Sequence, residues 1–411
     1  MRQPKIALFC FLSSLLVAVG GVKVSETPDS IVESIDFPGS DPSLVWGTDG
    51  KLHVSYVKDT PEGPRIAYKG INCCIGNRCR KAKTTESSVV SPVSLNIAAH
   101  GEMPPTVEVL PDGTIVMTYA VRLPIGRRKT EIYVQRSTDG GLTWNDPVLL
   151  HDDGMVGGHG FLDTVLNAQG EVVFSWIDPR EGQQGLATSW SKDGVKISAN
   201  KIADSRTCQC CNTSLCLGTD GEVWLAYRDL RDQNIRDISI VRSLDGGRSF
   251  GPPNRVSDDG WEVNGCPHTG PRLTQDHSGA LWVTWFTGSS NRIYVARSDD
   301  GGSSFGQRFP ITGPMGQGGT VRHPEIGTLP GGRVVVLYEV RGKEENVIAA
   351  RIRDGRTGEW SDPKIIAEDA TYPRYSARGD RAVVAFTDRS AESEPRVHIK
   401  GWKEALHLSR D

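Results

Sequence analysis

The sequence predicts an all-β protein that folds as a seven-bladed β-propeller. Two repeats support this prediction. An eight-residue box recurs along the chain at a period of about 50–55 residues, the length expected for one four-stranded blade. A short apolar run that ends in an aromatic residue occurs seven times, which sets the number of blades. A ring of six blades is the alternative.

The eight-residue box predicts a closed turn. Its Asp accepts backbone N–H bonds, its paired glycines adopt backbone angles that other residues avoid, and its last aromatic residue packs against a sheet. Degraded copies begin at Ser191 and Arg353 and continue the period. The complete copies are STDGGLTW from Ser137 to Trp144, SLDGGRSF from Ser243 to Phe250 and SDDGGSSF from Ser298 to Phe305.

The seven apolar runs predict the second strand of each blade. They alternate apolar with other residues and are rich in β-branched and aromatic types, a pattern typical of strands. The last unit ends near Trp402 without a fourth strand, whereas an unpaired strand candidate, SIVESID, begins at Ser30. We expect this strand, from Ser30 to Asp36, to complete the last blade, which removes exposed sheet edges. The runs are LHVSY ending at Tyr56, IVMTY at Tyr119, VVFSW at Trp176, VWLAY at Tyr227, LWVTW at Trp285, VVVLY at Tyr338 and AVVAF at Phe386.

The boxes resemble the Asp-box, or BNR, repeats of the sialidase superfamily. This resemblance covers nearly the whole chain after residue 20 and implies a β-propeller. It also implies an arginine trio for a substrate carboxylate, an Asp as acid/base, and a Tyr nucleophile with a Glu partner. The Arg-Ile-Pro motif that supplies the first arginine is missing, and Arg65-Ile66-Ala67 lies in the wrong strand. By position, the catalytic candidates are Asp178 or Asp229 as acid, Arg228, Arg322 and Arg374 as clamps, and Tyr372 with Glu325 as nucleophile.

The loops after the aromatic runs alternate carboxylates with guanidinium groups. Such forks suit an anionic or polyhydroxyl ligand, such as a small molecule or a glycan, although salt bridges between blades are the alternative. The pairs are Asp178 and Arg180, Arg228 and Asp229, Glu339 and Arg341, and Asp388 and Arg389.

Composition limits the partners and the compartment. The formal net charge is −3, which gives no support for nucleic-acid binding. Residues 1–20 carry Arg2 and Lys5, then a short apolar run, then small residues, which predicts a cleaved signal peptide instead of a membrane span. We therefore expect one propeller domain over residues 21–411, secreted or periplasmic.

The cysteines suggest a site. Loss of the signal peptide leaves eight in two odd groups, the first expected on the Asp-box face of the ring and most of the second on the opposite face. Complete pairing would need a link between these distant faces, so we expect at least one thiol in each group to be unpaired or metal-bound. The first group is Cys73, Cys74 and Cys79, and the second is Cys208, Cys210, Cys211, Cys216 and Cys266.

Alignment of the units on their terminal aromatics places metal-binding residue types at one end of the ring. The position seventeen residues before the aromatic is Glu, His, Cys and His in four consecutive units. Imidazole and thiolate together suit Zn²⁺ or copper, whereas a disulfide from Cys208 or Cys210 to Cys266 is the alternative in an oxidising compartment. The candidate ligands are Glu102, His159, Cys208, Cys210, Cys211, Cys266 and His268.

Two functions follow from these candidates. One is a binding protein that holds a metal or another ligand in its axial funnel. The other is a sialidase or another glycoside hydrolase that uses the Asp, Arg and Tyr residues of the same funnel.

Overall fold

The seven predicted blades are present in the computed structural model. They form six four-stranded antiparallel sheets and one five-stranded sheet, and the innermost strand of each contacts the next around a closed ring. The six-bladed alternative is therefore excluded. The only helix of the described residues is a 3₁₀ turn at Asp232–Asn234. The structure describes residues 18–19, 22–23, 31–72, 83–126, 129–180, 182–313, 319–342, 346–379, 381–390 and 394–402.

The strands of a blade follow one another outward from the axis, and we call them A to D. Blade 1 contains Ser40–Trp46, Leu52–Lys58, Arg65–Asn72, Lys83–Thr84 and the extra Ser88–Val89. Blade 2 contains Thr106–Val109, Ile115–Arg122, Thr130–Ser137 and Val148–Leu149. Blade 3 contains Gly160–Leu166, Val172–Asp178, Gly185–Ser191 and Lys201–Asp204. Blade 4 contains Ser214–Leu217, Val223–Arg228, Ile238–Ser243 and Asn254–Arg255.

Blade 5 contains Arg272–Gln275, Leu281–Thr287, Arg292–Ser298 and Phe309–Pro310. Blade 6 contains Thr320–Leu329, Arg333–Arg341, Asn346–Arg353 and Lys364–Glu368. Blade 7 contains Ala370–Arg378, Arg381–Asp388, Arg396–Trp402 and Ile31–Pro38. Ala18–Val19 and Val22–Lys23 form a separate pair.

The last blade takes its fourth strand from the N-terminal part of the chain, as predicted. Ile35 pairs with Ile399 in an antiparallel ladder. Phe37 packs edge-on against Tyr56 of blade 1, with ring centres 4.9 Å apart. This strand therefore closes the ring, although Ser30 itself lies outside the described residues.

The second strands are buried on both faces because each blade packs between two others. In blade 3, Phe174 and Trp176 belong to a core shared with blade 2, whereas Val173 faces Leu225 of blade 4. Both faces of these strands therefore carry apolar side chains, as is typical of strands that are covered on both sides. Successive residues alternate between the two neighbouring blades. The core is thus a series of layers between neighbouring blades.

The Asp-boxes form the predicted turns. Asp139 accepts hydrogen bonds from the Thr143 backbone N–H at 3.0 Å and the Thr143 hydroxyl at 2.6 Å. Gly141 has a φ of 90°, and a Cβ there would lie 2.3 Å from the Tyr68 ring. Glycine is therefore required for both backbone angle and space. Trp144 closes the turn edge-on against Tyr68.

A one-residue β-bulge interrupts strand A at the same place in blades 1, 3, 6 and 7. In blade 6, Arg322 pairs with Glu339 but Glu325 pairs with Leu337, and the other three blades repeat this shift. A bulge redirects side chains and commonly does so at a functional site. One released residue in each blade has a positive φ: Asp41, Phe161, His323 and Tyr372.

Blade 4 has a longer interruption at this place. The Cys208 backbone N–H donates to the Arg228 carbonyl at 2.9 Å, and regular pairing resumes only at Ser214, opposite Ala226. The chain between these points carries Cys210 and Cys211, which are thus freed from the strand ladder.

Candidate functional site

The strand A interruptions lie at the opposite end of the ring from the Asp-boxes. Strands A and C run in the same direction in an antiparallel blade. The interruptions come at the start of strand A, whereas each Asp-box follows the end of strand C. We call the end with the interruptions the funnel.

The interruption of blade 4 gathers three cysteines in the funnel. The Cys208 sulfur lies 3.8 Å from that of Cys210 and 3.5 Å from that of Cys211. The segment leading into blade 5 adds Cys266 and His268, whose ligand atoms lie within 4.8 Å of each other and of the Cys210 sulfur. We call these five residues the thiol cluster.

Two buried guanidinium groups lie beside the thiol cluster. Arg236 donates from Nη1 to the Cys208 sulfur at 3.2 Å, and Arg228 is fixed by three backbone carbonyl oxygens at 2.7 to 3.1 Å. Hydrogen bonds from Cys210 and Cys211, together with these positive charges, lower the pKa of Cys208. The environment therefore favours a thiolate at Cys208, which is the form that binds metals. The hydrogen bond with Cys208 raises the pKa of Cys210, and burial raises that of Cys211, so these two thiols would lose their protons only on binding a metal.

A cavity of about 440 Å³ adjoins the thiol cluster. Cys210, Cys266 and His268 line it together with His100. The Phe161 ring lies 6.4 Å from the rings of both histidines and packs on the buried cysteines. A small molecule in the cavity would therefore reach the thiol cluster, an aromatic face and a second imidazole.

A chain of polar side chains continues around the funnel, and we call it the carboxylate network. Glu102 accepts a hydrogen bond from the Tyr372 hydroxyl at 3.0 Å and lies 2.9 Å from His100 Nδ1. His323 Nε2 lies 3.6 Å from Glu102, and its Nδ1 lies 2.7 Å from Glu339. These five residues come from blades 2, 6 and 7.

The carboxylate network holds Glu102 as an anion. Burial opposes this, but hydrogen bonds from His100 and His323 hold the pKa of Glu102 well below its usual range. Burial and the charge of Glu102 raise the pKa of Tyr372 to about 12. Tyr372 is therefore a protonated donor at neutral pH.

Buried ion pairs, which we call the ion-pair ring, lie along the propeller axis below the bulges of strand A. Arg272 Nε lies 3.4 Å from a Glu325 oxygen, and Arg374 lies 4.0 Å from the same oxygen. Arg272 also lies 4.0 Å from Asp163. Burial raises the pKa of both carboxyls and lowers that of Arg374 to about 10. These side chains line an axial cavity of about 380 Å³, and two carboxylates face two guanidinium groups there.

Three of the predicted catalytic residues are engaged by other groups. Asp178 is buried, and Arg180 donates to its two oxygens at 2.9 and 3.0 Å. Arg228 is bound to backbone carbonyls beside the thiol cluster. Asp229 accepts a hydrogen bond from the Ser239 hydroxyl at 2.8 Å. Asp178 and Arg228 in particular have few polar atoms left for a ligand.

The structure separates the other predicted catalytic residues. Tyr372 bonds to Glu102 in the carboxylate network, whereas Glu325, its predicted partner, belongs to the ion-pair ring with Arg374. Arg322 precedes the bulge of blade 6, and its Nε is buried without a hydrogen-bond partner.

Five of the seven predicted metal ligands form the thiol cluster, and two do not join it. Glu102 belongs to the carboxylate network. His159 is fully buried, lies 3.0 Å from Asp153 and stacks on His151 with ring centres 3.5 Å apart. The constant spacing of seventeen residues fails here because the strand A interruptions differ in length between blades.

Sequence reasoning missed two residues of the carboxylate network in whole or in part: His323 was not a candidate, and Glu339 was named only as the partner of Arg341. A signal for the first was present, because the bulges of blades 1, 6 and 7 each carry a residue followed by proline: Asp41, His323 and Tyr372. Proline restrains the backbone of the preceding residue. Nothing in the sequence connected Glu339 with His323.

The cysteine and signal-peptide predictions fall partly on residues that the structure does not describe. Cys73, Cys74 and Cys79 lie outside the described residues, as does nearly all of the predicted signal peptide. Of the described cysteines, Cys208, Cys210, Cys211, Cys216 and Cys266 are free thiols. No helix in the described part of the chain is long and apolar enough to cross a membrane.

Comparisons with known proteins agree with the fold. The BNR repeat-like domain matches residues 80–259, and no curated protein matches the chain. The BP39L lectin from Burkholderia pseudomallei shares 11% identity at a TM-score of 0.58, with 89% of this chain and 97% of the lectin covered. An ulvan lyase of polysaccharide lyase family PL25 shares 10% identity at 0.58, with 90% and 96% covered. The Penicillium chrysogenum α-L-arabinanase shares 14% at 0.52, with 80% and 100% covered.

Together with the strand topology, these comparisons define the class of fold. The chain is a seven-bladed β-propeller, and residues 80–259 match the BNR repeat-like domain. At these identities the solved structures show the shared fold alone, so function has to be argued from the site.

Proposed function

We propose that this protein binds a thiophilic transition metal, Zn²⁺ or copper, at the thiol cluster in its funnel. The observation that carries this proposal is the convergence of four thiols and one imidazole from two adjacent blades. Thiolate and imidazole are the ligands that these metals prefer.

The sulfur distances support metal binding. In a tetrahedral site with metal–sulfur bonds of about 2.3 Å, two sulfur ligands lie about 3.8 Å apart. The Cys208 sulfur lies 3.8 Å from the Cys210 sulfur and 3.5 Å from the Cys211 sulfur. A disulfide would require a separation of about 2.05 Å, so the present spacing is that of unbridged thiols, which supports their use as separate ligands.

Metal analysis of the full-length protein tests this proposal. After anaerobic incubation with Zn²⁺ or Cu⁺ and gel filtration, we expect bound metal in the wild-type protein and in Cys216→Ser. Cys216 is a matched control because it is a free thiol of the same blade that belongs to neither ligand group. The Cys208→Ser/Cys210→Ser double variant should retain little metal while keeping its circular dichroism spectrum. A wild-type protein that stays metal-free and has a disulfide at Cys208, Cys210 or Cys266 by mass spectrometry would overturn the proposal.

A second candidate is glycan binding or hydrolysis at the carboxylate network. Its support is the 3.0 Å hydrogen bond between Tyr372 and Glu102, which pairs the residue types that the sialidase resemblance implies. One solved structure of similar fold is an arabinanase complexed with arabinobiose. If this candidate is right, a fluorogenic sialoside or arabinoside should be cleaved, and Tyr372→Phe should abolish cleavage while Cys216→Ser does not. Cleavage that survives Tyr372→Phe, or no cleavage of either compound, would count against it.

We also propose that the protein is exported, on the basis of the basic residues and apolar run of its first 20 residues. N-terminal sequencing of the protein from cell fractions would test this. The expected product begins near residue 21 in the extracytoplasmic fraction, and an uncleaved cytoplasmic protein would contradict export.

A further inference from the structure

The thiol cluster consists of two groups of three ligands that share one residue. Cys208, Cys210 and Cys211 form an inner group, and Cys210, Cys266 and His268 form an outer group. Within each group, all ligand atoms lie within 4.8 Å of one another, but the five atoms together do not. Cys210 is the shared member.

One metal ion cannot bind all five residues in this arrangement. Two metal–sulfur bonds of about 2.3 Å span at most about 4.6 Å, and the five ligand atoms extend further than the 4.8 Å limit that each group satisfies. A second ion would use the remaining ligands, and a thiolate has the lone pairs to bind both ions. We propose, on the basis of the metal binding proposed above, that the cluster holds two ions bridged by the Cys210 thiolate.

The number of ligands favours cuprous ions. Each ion would have three protein ligands: three thiolates in the inner group, and two thiolates and one imidazole in the outer group. Zn²⁺ in structural sites is almost always bound by four ligands, whereas soft thiolate ligands select Cu⁺.

The charges lead to the same metal. Four thiolates carry four negative charges, and the buried guanidinium groups of Arg228 and Arg236 supply two positive ones. The nearby carboxylate of Asp237 has its own partner, Arg231, at 3.9 Å. Two monovalent ions would bring the site to neutrality, whereas two divalent ions would leave an excess of positive charge in a buried site, which is costly.

The two ions would differ in accessibility. All three thiols of the inner group are buried, whereas Cys266 is exposed and His268 is partly exposed. Cys266 and His268 also line the 440 Å³ cavity. The outer ion would therefore exchange with copper ligands in solution through the cavity, and the inner ion would be retained.

Anaerobic titration of the full-length protein with Cu⁺, in competition with a chromogenic Cu⁺ chelator, tests this inference. We expect two equivalents for the wild-type protein and for Cys216→Ser. Cys266→Ser should bind one equivalent, and this exposed substitution does not disturb the core. Cys208→Ser should also lose one equivalent, but should keep the one that exchanges rapidly with the chelator. X-ray absorption should show a copper–copper scattering shell in the wild-type protein that is lost in Cys210→Ser.

The possible failures are distinguishable. If the wild-type protein binds neither Cu⁺ nor Zn²⁺, the proposed function itself fails. If it binds a single equivalent that Cys266→Ser leaves unchanged, metal binding stands and the bridged pair is wrong. If it binds two equivalents of Zn²⁺ but releases Cu⁺ to the chelator, the assignment to cuprous ions is wrong.

Discussion

Glu108 is buried in the same axial cavity as Arg272 and Arg374 but forms no ion pair with a described residue, and its replacement by glutamine should stabilise the protein at neutral pH. Its side chain accepts a hydrogen bond from the Thr164 hydroxyl at 3.2 Å. Burial, with a smaller contribution from the charge of Asp163, raises the pKa of Glu108 from 4.5 to about 8. The carboxyl group is therefore protonated in the folded protein at neutral pH.

The sign of the pH dependence follows from proton binding. Between the unfolded pKa of 4.5 and the folded pKa of about 8, the folded state binds the proton and the unfolded state does not. Stability therefore falls as pH rises through this window, by about 1.4 kcal/mol per pH unit and by about 5 kcal/mol in total. Glu108→Gln keeps the shape and a neutral polar group, so it should avoid this loss.

Urea unfolding of both proteins at several pH values measures the effect. The two proteins should have similar free energies of unfolding near pH 4.5, and Glu108→Gln should be more stable by several kcal/mol at about pH 8. Unchanged m-values would show that the unfolding transition is the same. A stability difference that is constant with pH, or a variant that is less stable at about pH 8, would refute the reasoning.

Three further predictions concern the ring, an Asp-box and the stacked histidines. Phe37→Ala should lower the free energy of unfolding in urea by about 3 to 5 kcal/mol, because Phe37 joins the last blade to the first; a negligible change would show that ring closure contributes little. Despite some burial, hydrogen bonds from Ser249 and Ser243 lower the pKa of Asp245 to about 2. Asp245→Ala should therefore destabilise the protein at neutral pH, and the destabilisation should become smaller towards pH 2. A destabilisation that is constant over this range in thermal melts would contradict this prediction. Burial and the neighbouring His159 lower the pKa of His151 from 6.5. The stability of the wild-type protein should therefore fall as the pH falls below 6.5. Thermal melts at pH 7 and pH 5 should show a smaller loss of stability for His151→Asn than for the wild-type protein.

The fold was predictable because its repeats act locally. The Asp-boxes and the alternating runs depend on residues within a single blade, so the number of runs predicted the number of blades. Ring closure could be predicted from what the last unit lacked. The strand beginning near Ile31 was the one unpaired candidate, and a missing fourth strand beside Phe386 required it.

The site was only partly predictable because strand A does not have a constant length. The spacing that placed Cys210 and His268 correctly also placed His159 beside them, although His159 turns towards Asp153. The one-residue bulges of blades 1, 3, 6 and 7 and the longer interruption of blade 4 at Cys208 give these two sets of blades different registers. Pairwise contacts such as His323 with Glu339 depend on this register and leave no trace in the spacing.

Anomalous diffraction from crystals grown with Cu⁺ would locate the metal in the funnel. We expect copper peaks within bonding distance of the Cys210 sulfur, at about 2.3 Å, with Cys208 and Cys211 on one side and Cys266 and His268 on the other. Peaks only at His151, Asp153 and His159, or a disulfide involving Cys210 and no peak in the funnel, would contradict this expectation.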